Sequence, residues 1–218
     1  MPSPASPPAH PGPAAPLAGI RIEDIATHPQ FRRLATLRGV LHDLRYAGCD
    51  NFAGVDLYRG LDCAWLRSEA AEGLETAAAW LAHQRPGWRL LVLDALRPQR
   101  VQQAIWDDVE GTPMAPYFAH PQRGSIHSFG LAVDVTLLDP QGREADMGSG
   151  FDEMTLASHP ALHAQHLASG VLTPAQVAER ECLAAAMAQG GFHGIATEWW
   201  HFDHGDRERV RREGLRVL

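Results

Sequence analysis

The chain has little that would draw it to nucleic acid or carry it across a membrane. Its 19 basic residues are outnumbered by 26 acidic ones, for a net charge of −7. No basic excess therefore favours nucleic acid or an anionic lipid surface as a partner. No apolar run approaches the ~20 residues that a spanning helix needs. Cysteine is scarce: Cys49, Cys63 and Cys182 are odd in number and stand at no metal-binding or redox spacing. An oxidising compartment would leave at least one thiol unpaired, so a reducing, cytoplasmic location is expected. Internal repeats with a period of about 20 to 50 residues are also missing, which excludes solenoids and propellers.

Charge is almost absent from residues 1–19, which are mostly proline and alanine. The stretch has neither a basic start nor an unbroken apolar core, and does not read as a signal peptide. Its prolines block helix and strand, and its small side chains bury too little area to offset ordering, so a disordered tail with polyproline character is expected. The remaining residues, 20–218, suffice for one sizeable core and are read as a single domain. No exposed heptad seam specifies a homo-oligomer, and the sequence leaves oligomeric state open.

What is present reads as alternating helices and strands. Ser68 to Gln84 carries apolar residues at Ala70, Leu74, Ala77, Ala78 and Leu81 and is stopped by Pro86-Gly87, which predicts a helix. Trp88 to Leu93 has strand length, Arg97-Pro98 ends what precedes it, and a second helix is expected from Gln99 to Val109. Leu131 to Leu138 is rich in β-branched residues and runs into Asp139-Pro140-Gln141-Gly142, which predicts a strand, a turn and a returning strand. Thr173-Pro174-Ala175-Gln176 has the form of a capping box and opens a helix that Gly190-Gly191 closes. Phe192 to Ile195 and Glu198 to Phe202 read as strands. This order favours an α+β fold, a small antiparallel sheet flanked by helices.

Against that background, one pattern carries chemistry. Ser125-Ile126-His127-Ser128-Phe129-Gly130-Leu131-Ala132-Val133-Asp134 and, far downstream, Glu198-Trp199-Trp200-His201 supply two imidazoles and a carboxylate. His127, Asp134 and His201 can fill three of the four tetrahedral positions of Zn²⁺ and leave the fourth for water, as catalytic zinc requires. Glu198 stands where it can take a proton from that water, whose pKa the ion lowers towards ~7, and hand it to a leaving amine. The implied chemistry is amide hydrolysis. Geometry adds a condition, because residues seven apart on a regular strand face opposite sides. The chain must therefore turn or bulge near Gly130, and an irregular step must separate Glu198 from the strand bearing His201. Two rival donor sets exist. His159, His163 and His166 would share a face if that stretch is helical, and His204 follows His201, although Phe202-Asp203 suggests a chain leaving its strand.

Together these residues resemble the D-alanyl-D-alanine dipeptidase family, the zinc enzymes associated with vancomycin resistance and with bacterial use of cell-wall dipeptides. The resemblance runs from about Tyr46 onward. The Ser125–Asp134 and Glu198–His201 patterns are shared with murein carboxypeptidases. Tyr46-Ala47-Gly48-Cys49-Asp50-Asn51-Phe52-Ala53-Gly54, Asp94-Ala95-Leu96-Arg97-Pro98 and Asp146-Met147-Gly148-Ser149-Gly150-Phe151-Asp152 resemble blocks specific to the dipeptidases. The resemblance implies a hedgehog/D,D-peptidase-like zinc fold and one zinc ion per chain, held by His127, Asp134 and His201. It also implies Glu198 as general base and then acid, Arg97 as oxyanion stabiliser, Asp152 as partner of the substrate's ammonium, and Ser125 and Tyr46 as further substrate contacts. By their residues alone, Arg97 is one arginine ahead of a helix and Asp152 a turn aspartate. The activity implied is hydrolysis of D-alanyl-D-alanine to two D-alanines. The alternatives are a murein D,D-carboxypeptidase or L,D-endopeptidase on the same scaffold, and a zinc-binding module without catalysis.

Overall fold

The segment Ala132–Leu138 is buried along its whole length, and the rest of the molecule is arranged around it. The computed structural model describes residues 19–218. The tail expected over residues 1–19 therefore lies, except for Gly19, outside the described residues. In chain order the elements are β1 (Gly19–Ile20), β2 (Phe31–Arg33), β3 (Val40–His42), β4 (Trp65–Arg67), α1 (Ser68–Gln84), β5 (Arg89–Asp94), α2 (Gln99–Val109), β6 (Ala132–Leu138), α3 (His163–Ser169), α4 (Pro174–Gln189), β7 (Phe192–Gly194), β8 (His201–His204), α5 (Arg207–Glu213) and β9 (Arg216–Val217). Short 3-10 turns connect several of them.

Five strands form the main sheet in the order β3-β5-β6-β8-β7. The β5-β6, β6-β8 and β7-β8 pairs are antiparallel, as the element order suggested, while the edge strand β3 joins β5 in parallel. On β6, Val133, Val135 and Leu137 alternate with Asp134 and Thr136. The apolar set packs into the main core with Leu74 and Leu81 of α1 and Leu183 and Met187 of α4. Burying each such side chain contributes roughly 1.5–3 kcal/mol, and truncating Leu74 to Ala would cost roughly 2–5 kcal/mol. Where α1 passes the end of α4, backbone meets backbone: a Cβ on Gly73 would lie 2.3 Å from the Gly190 carbonyl oxygen.

Local signals set the helix limits. α1 ends where Arg85 N donates to the Leu81 carbonyl and Pro86 follows. α2 starts directly after Pro98. α4 carries the full capping box, with the Thr173 hydroxyl accepting from Gln176 N and the Gln176 side chain accepting from Thr173 N.

Two expectations change. The turn at Asp139–Gly142 forms, but the returning chain makes only an isolated bridge between Leu138 and Glu144 instead of a strand. The pairing with β8 stops at Asp134, and on the edge of β6 left free beyond it the returning chain makes two bonds, Asp139 N to the Arg143 carbonyl and Ala145 N to the Leu137 carbonyl, before it leaves the sheet. The last strand of the sheet begins at His201 rather than Glu198, and it continues to His204 instead of breaking at Phe202-Asp203. No helix among the described residues is long and apolar enough to cross a membrane.

Candidate metal centre and its cleft

The register of the sheet brings the first groups together. Asp134 on β6 pairs directly with His201 on β8, and on its other side with Asp94 at the end of β5. His127 arrives from a 3-10 turn, Ile126–Phe129, that ends on Gly130 with φ +69°. A side chain there would meet strain, and a Cβ would also sit 2.8 Å from the Phe31 ring. This turn is the irregular step that lets residues seven apart face one centre.

Each imidazole is tied down by the nitrogen that faces away from the centre. His127 Nδ1 lies 2.7 Å from the Ala95 carbonyl oxygen, which can only accept, so the hydrogen is on Nδ1 and the lone pair on Nε2 points inward. His201 Nε2 lies 2.9 Å from Asp203 Oδ1, which leaves Nδ1 facing inward. The three inward atoms form a tight triangle. His127 Nε2 is 3.1 Å from His201 Nδ1 and 3.4 Å from Asp134 Oδ1, and His201 Nδ1 is 3.0 Å from Asp134 Oδ1. Donors ~2.0–2.1 Å from a tetrahedral zinc stand about 3.3 Å apart, so the triangle fits that ion. Outer carboxylate and carbonyl partners on the histidines are the usual support of such a site. Among the described residues these are the three potential metal donors that come together. His159, His163 and His166 do not form a comparable set, and the His159 ring instead meets the Tyr117 hydroxyl. His204 packs edge-on against Phe192.

Electrostatics follow from burial and these neighbours. Burial alone would raise the Asp134 carboxyl, but His127 and His201 outweigh it and hold it well below the usual carboxylate range. Burial disfavours a charged His201, yet Asp203 and Asp134 lift its pKa well above the ordinary imidazole value. Glu198, 8 % exposed, is pushed up to about 7, chiefly by burial. Trp199 and Trp200 beside it are core residues, both buried.

The centre opens into a small cleft. Tyr46, Arg97, Ser125, Asp152 and Glu198 all line it with the three donors. Arg97 is buried, and its Nε and Nη2 donate to Asp94 Oδ2 at 3.1 and 2.6 Å. Its Nη1 donates to Gln102 at 3.2 Å, Nη2 lies 3.7 Å from Asp134 Oδ2, and its guanidinium sits over the Tyr46 ring. Asp152 has φ +58°, a left-handed conformation uncommon for aspartate. It accepts only long bonds, from the Tyr46 hydroxyl at 3.5 Å and from Phe52 N at 3.3 Å. Burial, then the nearby Asp134 charge, pushes its carboxyl well above the ordinary range. Ser125 is a buried residue immediately before the turn that carries His127.

Sequence reasoning missed several groups. Asp94 was visible only as the first residue of a motif, yet it also receives the Tyr58 hydroxyl and the Ala95 amide. Asp203 carried a usable signal: residues two apart on a strand share a face, so a carboxylate at that spacing stands beside His201. Arg207 and Arg211 also line the cleft and belong to no recognised pattern.

Fold and site define a class, an α+β domain with a His-Asp-His centre at the end of a central strand and a small, strongly charged cleft beside it. A family model described as D-ala-D-ala dipeptidase, peptidase M15, matches residues 30–216, and the chain belongs to that metallopeptidase family. It is 38% identical over 161 residues to a D-alanyl-D-alanine dipeptidase of Escherichia coli K12, covering 74% of this chain and 77% of that one. Relatives of the same name from Synechocystis and Enterococcus faecalis are each 30% identical, covering 69% and 76% of this chain and 73% and 86% of theirs. A solved structure of the LdcB LD-carboxypeptidase aligns over 69% of this chain and 65% of that chain, at 18% identity and a TM-score of 0.42.

Proposed function

We propose that this protein hydrolyses D-alanyl-D-alanine to two molecules of D-alanine, with one zinc ion per chain held by His127 Nε2, Asp134 and His201 Nδ1. The observation that carries the reading is the donor triangle of 3.0–3.4 Å, with both outward imidazole nitrogens already committed, in a cleft that also holds a buried, weakly hydrogen-bonded carboxyl at Asp152. When bound, zinc supplies Lewis acidity that activates water and polarises the scissile carbonyl.

The chain's own residues divide the remaining work. Glu198 accepts a proton from the attacking water and returns it to the leaving amine, a task suited to a carboxylate whose pKa is pushed up to about 7. Arg97, held by Asp94 and stacked on Tyr46, presents a permanent charge to the developing oxyanion. Asp152 takes the substrate's free ammonium, which supplies the counter-charge that its buried position lacks. An acylated amine leaves that carboxyl unpaired, and this is the basis for rejecting longer peptides. Tyr46 and Ser125 complete the walls against the dipeptide.

Residues 20–218 act as one domain in this reading, and a reducing cytoplasm suits the free thiols of Cys49, Cys63 and Cys182. The test is a panel of alanyl dipeptides varying in stereochemistry, each assayed with and without a chelator. Cleavage of the D,D isomer that is lost with chelator and restored by zinc is expected. Chelator-resistant turnover, or no turnover of the D,D isomer by the zinc-loaded protein, refutes it.

A further inference from the structure

The cleft contains more positive charge than the chemistry above uses. The chain has no lysine, so every permanent cation is an arginine, and Arg97, Arg207 and Arg211 line this one cleft. Arg97 is committed to Asp94 and Gln102. Arg207 Nε lies 2.6 Å from Asp203 Oδ2, behind the His201 ring.

Arg211 is placed differently. Its side chain is 9 % exposed, while its ion-pair partner Glu208 is 79 % exposed and shielded by water. Nε donates to the Gly124 carbonyl at 3.3 Å and Nη1 to Glu208 at 2.8 Å. The first of these bonds anchors the guanidinium next to Ser125, on the segment that leads into the turn bearing His127, and α5 itself packs against that turn. Burial, and then the like charge of Arg123, disfavour its cationic form; Glu208 offsets this in part, and Arg207 adds a smaller like-charge effect. A sheltered guanidinium with cationic neighbours and a screened partner is stabilised by an anion arriving in the cleft. Asp152, by contrast, lies against Tyr46 and Phe52, so the two opposite charges occupy different walls.

We propose that Arg211, backed by Arg207, is the subsite for the C-terminal carboxylate of the substrate, so that the cleft reads both ends of a zwitterionic dipeptide. This rests on the reading of the cleft as a dipeptidase site. Arg211 is thus a specificity residue, with no part in bond cleavage.

The experiment compares kcat and KM of the zinc-loaded protein for D-Ala-D-Ala and for its C-terminal amide, in wild type, Arg211→Met, Arg211→Gln and Arg211→Lys, with zinc content and melting temperature measured for each. Wild type should favour the free acid. Arg211→Met should shrink the acid-to-amide ratio of kcat/KM by about 10- to 100-fold, mostly through KM, as expected for loss of a charged hydrogen bond. Arg211→Lys should keep part of the preference. Should the methionine variant fail to fold, Arg211→Gln, which keeps a donor and removes the charge, takes its place. An unchanged ratio in a folded, zinc-replete variant overturns the proposal, as does a wild type indifferent to amidation. A wild type that cleaves D-Ala-D-Ala with an unchanged ratio in the variants defeats only this inference. A wild type that cleaves neither compound defeats the dipeptidase reading and this inference with it.

Discussion

The two ends of the cleft are built on opposite principles. At the His127–Asp134–His201 end every group is settled by its surroundings: one imidazole is fixed by the Ala95 carbonyl, the other by Asp203, and the carboxylate by strand register. At the Asp152 end the carboxyl sits in a left-handed conformation, is desolvated, and accepts only two long hydrogen bonds. The first end is pre-organised for a cation of fixed geometry. The second is only weakly hydrogen-bonded, which in the proposed reading lets a substrate ammonium gain what the fold withholds. In that reading, affinity for a metal comes from order, and selection of a free dipeptide comes from a local deficit.

The contrast breaks most visibly at the ordered end. His127→Ala should lose zinc and activity together, as read by metal analysis of the purified protein beside its turnover. Stoichiometric zinc in that variant means the donor set is wrong. Asp203→Ala keeps all three donors and removes the support behind His201 together with the ion pair to Arg207, so zinc affinity should fall by about 10- to 100-fold, measured by competition with a chelator of known affinity. Between the two ends, Glu198→Gln should retain zinc while kcat drops by roughly 10²- to 10⁴-fold. Comparable turnover with metal confirmed would end its role as general base.

The unsatisfied end predicts a trade. Asp152→Asn should lower kcat/KM for D-Ala-D-Ala by about 100-fold, on the order of one lost charged contact. It should at the same time stabilise the metal-free fold by roughly 0.5–2 kcal/mol, because a destabilised functional group has been removed. The pH dependence has a definite sign. Asp152 has a higher pKa folded than unfolded, so the folded state binds the extra proton. Its contribution to stability is therefore greatest below the ordinary carboxylate value of 3.8 and is lost as pH rises through the raised one. Denaturant titrations across that window should show a decline in wild type that is smaller in the asparagine variant. A wild type and variant with parallel pH profiles contradict the strained-carboxyl account.

Both ends were partly legible in the sequence, for different reasons. Local signals carried far: Pro86-Gly87, Arg97-Pro98 and the Thr173–Gln176 capping box mark helix limits that the structure reproduces, and Gly130 announced the turn that brings His127 round to Asp134. What depends on pairing between distant strands did not show. That Asp134 stands between Asp94 and His201 is a property of register, and so is the short reach of the chain returning after Leu138, which touches β6 only at the Leu138–Glu144 bridge. Arg207 and Arg211 carried no pattern because only the fold of the chain end against the His127 turn turns them into cleft residues.

The measurement that addresses the two-ended cleft most directly is the ratio of kcat/KM for D-Ala-D-Ala to that for N-acetyl-D-Ala-D-Ala, on the zinc-loaded protein. Acetylation leaves the scissile bond intact and replaces the charge that Asp152 is proposed to meet with a neutral amide. The account predicts a ratio of about 100 or more, collapsing towards one in Asp152→Asn. Equal rates on the two compounds, or preference for the acetylated one, would contradict it and point to a carboxypeptidase on the same scaffold.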